Sequence, residues 1–93
     1  MKPRIYADFN KRDENGSAIL VCRGTFADLQ SQGLTLADGM EVTLYMPDDV
    51  DSEGQPDSLK VDAIVRHNRE LGCWVGEFVD ADLGYRSQKE RKQ

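Results

Sequence analysis

Polar and apolar residues alternate along three stretches of the chain. Residues 4–9, Arg-Ile-Tyr-Ala-Asp-Phe, put Ile5, Ala7 and Phe9 on one face and Arg4, Tyr6 and Asp8 on the other. That period of two, with β-branched and aromatic members, predicts a strand. Residues 41–46 repeat the pattern with Val42, Leu44 and Met46 on one face, and Pro47 is expected to stop the run. Residues 59–66 place Leu59, Val61, Ala63 and Val65 one way and Lys60, Asp62, Ile64 and Arg66 the other. Two further stretches are apolar with little alternation. Residues 18–23, Ala-Ile-Leu-Val-Cys-Arg, predict a strand covered on both faces or set in a barrel wall. Residues 73–79 predict the last strand, with Trp74 and Phe78 on one face and Gly76 between them. Those aromatics read first as core, and a nucleobase stack is the competing role.

The connecting segments carry turn chemistry. Residues 10–17 end in Asn15-Gly16, a dipeptide that tolerates positive φ, and are expected to join the first two strands in a hairpin. In residues 25–33, Thr25 is a candidate helix cap, Asp28 suits a helix N-terminus and Gly33 a helix end. A short helix near 26–31, with Phe26 and Leu29 on one face, competes there with a strand end and tight turn. Leu34-Thr35-Leu36 reads as extended, and Ala37-Asp38-Gly39 as a turn. Residues 47–58 hold five acids, two prolines and a glycine, and predict a long mobile loop. Residues 67–72 predict a turn, and residues 82–93 a frayed tail. The sum is one β-rich domain over 1–85 with a basic tail at 86–93. Its fold class is mainly β: a small antiparallel barrel or sandwich of five to six strands with one short helix.

Charge narrows the partners. The net charge is −5, of which residues 86–93 carry +3 (four basic, one acidic), leaving −8 on residues 1–85. An acidic body repels a phosphate backbone, so duplex nucleic acid is not an expected partner. No apolar run approaches the roughly 18 residues needed to span a membrane. Charged sequence follows Met1-Lys2-Pro3-Arg4 at once, which is unlike an export leader. The expectation is a bacterial cytoplasmic protein without membrane contact. Cys22 and Cys73, with no C-x-x-C spacing, read as reduced thiols.

Candidate chemistry is sparse. The single histidine, His67, lies in the polar stretch His67-Asn68-Arg69, and no serine sits in a nucleophile elbow. The sharpest local pattern is acidic. Asp49, Asp51 and Glu53 occupy positions 1, 3 and 5 of a calcium-loop template, Gly54 position 6 and Asp57 position 9. Position 12 is Lys60, where the template takes a glutamate. A solvated acidic hairpin loop is the plainer reading, and a small metal-dependent enzyme using this loop the more specific one. The leading expectation for the whole chain is a non-enzymatic binding or interaction module, with a protein as partner and no cofactor.

From Gly24 onward the order of features resembles a PilZ domain. Asp28-Leu29-Gln30-Ser31-Gln32-Gly33 is similar to that family's Asp/Asn-x-Ser-x-x-Gly motif, with Gln30 at the serine position. Leu34-Thr35-Leu36, the Gly39 turn, strands 41–46 and 59–66, and Trp74-Val75-Gly76-Glu77-Phe78 follow in the same order. The family's Arg-x-x-x-Arg motif has only Arg4, with Asp8 at the second position, or Arg12. The resemblance implies a small β-barrel that binds cyclic di-GMP, with Arg4, Arg12, Asp28 and Gly33 at the ligand. The N-terminal half is also similar to small uncharacterised bacterial proteins sharing a Tyr-x-Asp-Phe-Asn opening and a Gly-Thr-x-x-Asp-Leu stretch.

Overall fold

The computed structural model describes residues 2–50, 54 and 56–85. One mixed sheet organises them. Its strands are β1 (Arg4–Tyr6), β2 (Ala18–Ile19), β3 (Glu41–Val50), β4 (Pro56–Asn68), β5 (Cys73–Glu77) and β6 (Gly84–Tyr85). The sheet order is β1-β3-β4-β5-β2, and β6 adds to β4 beside Leu59 and Lys60. A helix, α1 (Arg23–Gln32), follows β2, and a 3-10 turn spans Asp80–Asp82. The small β-dominated fold is as expected, but the sheet does not close into a barrel. Nor is it wholly antiparallel, because β1 runs parallel to β3, with Ile5 opposite Leu44.

The inward faces follow the alternation. Ile5, Val42, Leu44, Val61, Ala63 and Val65 are all buried in one core cluster. Ala18 of β2 joins the same cluster, as do Ala7, Phe9, Leu20 and Leu36 from flanking segments. Phe9 meets Phe78 edge-to-face at 5.7 Å. Gly76 lies where the layers meet most closely, and a Cβ there would sit 2.6 Å from Leu44 Cδ1.

Several expected boundaries move, each for a physical reason. The Asn15-Gly16 turn forms, with Gly16 at φ +85°, but its first arm is not β1. Asp13 N–H donates to Ser17 O, Ile19 N–H donates to Lys11 O, and Arg12 pairs with Ala18. Thus residues 11–13 pair with β2, while β1 lies at the far end of the sheet. The apolar run 18–23 is strand only at Ala18–Ile19, and Arg23 already belongs to α1.

The acidic stretch 47–58 is less of a loop than its composition suggests. β3 runs on to Val50 and pairs with β4 from Pro56, with a register shift between Asp48 and Val50. Pro47 is tolerated because of parity. Thr43 N–H and Tyr45 C=O point to the β1 side, bonding Pro3 O and Ala7 N–H. Position 47 shares that side, and β1 has ended by then. The missing proline N–H therefore faces away from β4.

Candidate functional site

The helix begins at the Cys22 N-cap, not at Thr25, and ends where expected. Gly33 takes the left-handed conformation (φ 65°), and Leu34 N–H closes the turn on Leu29 O. Thr25 is instead fully buried within the first turn, and its hydroxyl donates to Tyr6 O at 2.6 Å. Asp28 Oδ2 accepts from Tyr6 N–H at 2.9 Å, and Gln32 Nε2 donates to Arg4 O at 2.8 Å. Positions 25, 28 and 32 share one helix face. They supply a donor, an acceptor and a donor to the outward edge of β1, as a neighbouring strand would. Gly24 allows the close approach, since a Cβ there would lie 2.6 Å from Tyr6 Cδ2.

Around that seam lies a cluster of larger side chains. Tyr45 donates its hydroxyl to Asp28 Oδ2 at 2.7 Å. Arg4 places its guanidinium 4.6 Å from the centre of the Tyr45 ring, and Tyr6 meets Tyr45 edge-on at 6.0 Å. Burial raises the Tyr45 phenol above its ordinary value, and the bond to Asp28 and that carboxylate's charge push the same way. Tyr6 is raised mainly by burial, then by the charge of Asp8. Leu71 and Val79 stand out to solvent, and so, at the start of α1, do Val21 at 44% exposure and Phe26 at 54%. Val21 and Phe26 occupy the positions before the cap and four residues after it, the pair that packs together in a hydrophobic staple.

The residues singled out from sequence are thus divided. Arg4 and Asp28 meet around Tyr45. Gly33 lies at the end of α1. Arg12 lies toward the opposite end of the sheet, beside β2. There its Nε donates to Phe9 O, it pairs with Asp80 at 2.6 Å and it stacks 5.0 Å over Phe78. Asp49 belongs to β3 and Asp57 to β4, while Asp51 and Glu53 lie outside the described residues. Among the described residues no three His, Cys, Asp or Glu side chains group as metal ligands. No described helix is long and apolar enough to cross a membrane.

A concavity of about 280 Å³ lies apart from the Tyr45 cluster, at the 13–17 turn and the end of β4. Asp13, Ser17, Arg66, His67, Asn68 and Glu77 are among its lining residues. It is a little below the range typical of small-molecule sites. Asp13 is committed to the turn, accepting from Asn15 N–H, Ser17 N–H and Asn68 Nδ2. Arg66 reaches toward Asp38 and Glu77 at 3.6 and 3.5 Å. His67 lies edge-on to Trp74 at 5.0 Å, and Trp74 packs against the core cluster.

The sequence did not single out Tyr45, Gln32 or Val21, and it set Phe26 with Leu29 on one helix face, whereas Leu29 packs on the core and Phe26 is exposed. Tyr45 had a signal in its place on the polar face of an alternating strand. Gln32 had none, because its partner is a backbone carbonyl 28 positions away. Comparison of the chain with family models, curated proteins and solved structures gives no match.

Proposed function

We propose that the protein is a non-enzymatic interaction module that holds a protein partner through Val21 and Phe26. The observation that carries this reading is the exposure of Phe26 on a helix whose opposite face is pinned to β1 by Thr25, Asp28 and Gln32. A large exposed aromatic with few rotamers is the kind of anchor that dominates interface energies. The −8 charge on residues 1–85 favours a partner with a basic rim around an apolar pocket. The test is site-specific photo-crosslinking of the full chain in cells. A crosslinker at position 26 is expected to give one discrete protein adduct, absent when the crosslinker replaces exposed Thr35. Equal yields at the two positions would remove the reading.

A second reading takes its support from Arg4. Its guanidinium lies on the Tyr45 ring beside a carboxylate, an arrangement suited to stacking and edge recognition of a guanine base. Cyclic di-GMP, the ligand implied by the PilZ resemblance, is the probe. Amide shifts confined to residues near Arg4, Tyr6 and Asp28 would favour this reading. No shift on addition of the nucleotide would exclude it.

A further inference from the structure

α1 is held to the edge of β1 largely by polar side chains. Thr25 is its one buried residue, and Leu29 is its apolar contact with the core cluster. The helix is also weakly made. Cys22 gives no side-chain bond to the first turn, no acid sits in that turn, and no base sits in the last. Arg23 sets a cation at the positive end of the helix dipole. Gly24, Thr25, Asp28 and Ser31 are poor helix formers. Its one well-formed end is the Gly33 turn. A segment with few apolar contacts opens at lower free energy than the strands it lies against.

Opening uncovers backbone groups already in strand geometry. Tyr6 presents both its N–H and its C=O, and Arg4 its C=O. The sequence of this edge is self-complementary. Two copies paired antiparallel about Tyr6 set Tyr6 opposite its counterpart and Arg4 opposite Asp8 of the other copy, twice by symmetry. Arg4 and Tyr6 share one face of β1, and alternation carried two positions past its end sets Asp8 on the same face, where its C=O accepts from Lys11 N–H and its side chain is left to pair, so the contact joins an aromatic pair to two opposite-charge pairs. Asp8 Oδ1 already accepts from Asn10 N–H, so the arginine draws on Oδ2. A parallel pairing in register would oppose Arg4 to Arg4 and Asp8 to Asp8. The antiparallel contact is isologous and therefore closes as a dimer.

We infer that α1 is a detachable cover and that the β1 edge it leaves pairs antiparallel with β1 of a second copy of this chain. The inference goes beyond the interaction reading and uses the opposite face of α1, so either can fail alone. Gly24→Ala supplies the test, because its Cβ meets Tyr6 Cδ2 and Cγ at 2.6 and 2.8 Å and wedges helix from strand. Alanine also raises helix propensity, so any loss comes from the seam. In native-state amide exchange of the full chain, residues 26–32 and the Tyr6 amide are expected to exchange at one shared rate. That rate should rise about tenfold in Gly24→Ala, while the Val65 amide, bonded to Met40 O, keeps its own. Sedimentation velocity at rising concentration should show dimer in Gly24→Ala. Adding Arg4→Asp should return it to monomer, and adding Asp8→Arg as well should restore the dimer. Separate exchange rates across α1 would overturn the cover. An opened but monomeric Gly24→Ala, or a dimer indifferent to the charge exchange, would overturn the pairing.

Discussion

At Thr25 one hydroxyl settles a backbone carbonyl that no strand reaches. Thr25→Val keeps the shape, removes the donor and leaves Tyr6 O without its partner in a closed site. Its expected cost is about 1–3 kcal/mol in urea denaturation, mostly the penalty of the orphaned carbonyl. Gly76 is the opposite case, a residue chosen for what it lacks. Gly76→Ala pushes a methyl against Leu44, which is fully buried and has little room to yield. A loss of about 1–3 kcal/mol is expected. In a Leu44→Ala background the same methyl enters vacated space, so the two costs should be clearly less than additive. The close approach at Gly76 was legible from a glycine set between Trp74 and Phe78, whereas the role of Thr25 was not. Thr25 read as a cap because threonine before an amphipathic stretch usually is one, and its partner lies 19 positions back in a strand.

The elements differ in what holds them, and pH separates them. The α1 seam includes the Tyr45 hydroxyl, whose proton is held above the ordinary phenol value of 10.0. A raised acid contributes its full stability below the unfolded value and loses it as pH rises through the folded one. Unfolding free energy should therefore fall above about pH 10, and Tyr45→Phe should flatten that alkaline slope. The hairpin at 13–17 behaves in the reverse sense. Burial pushes the Asp13 carboxyl up, yet bonds from Ser17 N–H, the Asn68 amide and Asn15 N–H outweigh it and hold the group below 3.8. Its contribution is present above about pH 4 and fades as acid titrates the folded form. Denaturation midpoints followed down to about pH 2 should drop less steeply for Asp13→Asn than for the parent chain. The turn itself was legible from Asn15-Gly16. Which strand it served was not, because turn chemistry is local and strand pairing is not.

Across the whole molecule, Arg12 ties the N-terminal half to the segment after β5. It bonds Phe9 O, stacks on Phe78 and pairs with Asp80. Asp80 is 70% exposed, so Asp80→Asn should cost no more than about 1 kcal/mol. Arg12→Ala also loses the carbonyl bond and the ring contact, and about 1–2 kcal/mol is expected. Equal losses in thermal or urea unfolding would mean that the ion pair alone matters. The sheet's open order also separates Arg12 from Arg4, which a closed barrel brings together.

Alternation by itself determined which side chains face the core. Ile5, Val42, Leu44, Val61, Ala63 and Val65 were all readable from a period of two, because a pleated strand leaves no other way to bury them. The same pattern gave a β-dominated fold, and Gly33 the end of its helix. Strand order, the parallel β1–β3 pair and the open sheet were decided only in three dimensions. So were the passage of β3 through Pro47 and the helix-capped edge of β1. Each depends on which backbone groups meet across dozens of residues, and periodicity within one segment contains nothing about its neighbour. The cluster of Arg4, Tyr45 and Asp28 exists for that reason: three separate elements bring it together, and only the assembled sheet and helix put those side chains in contact.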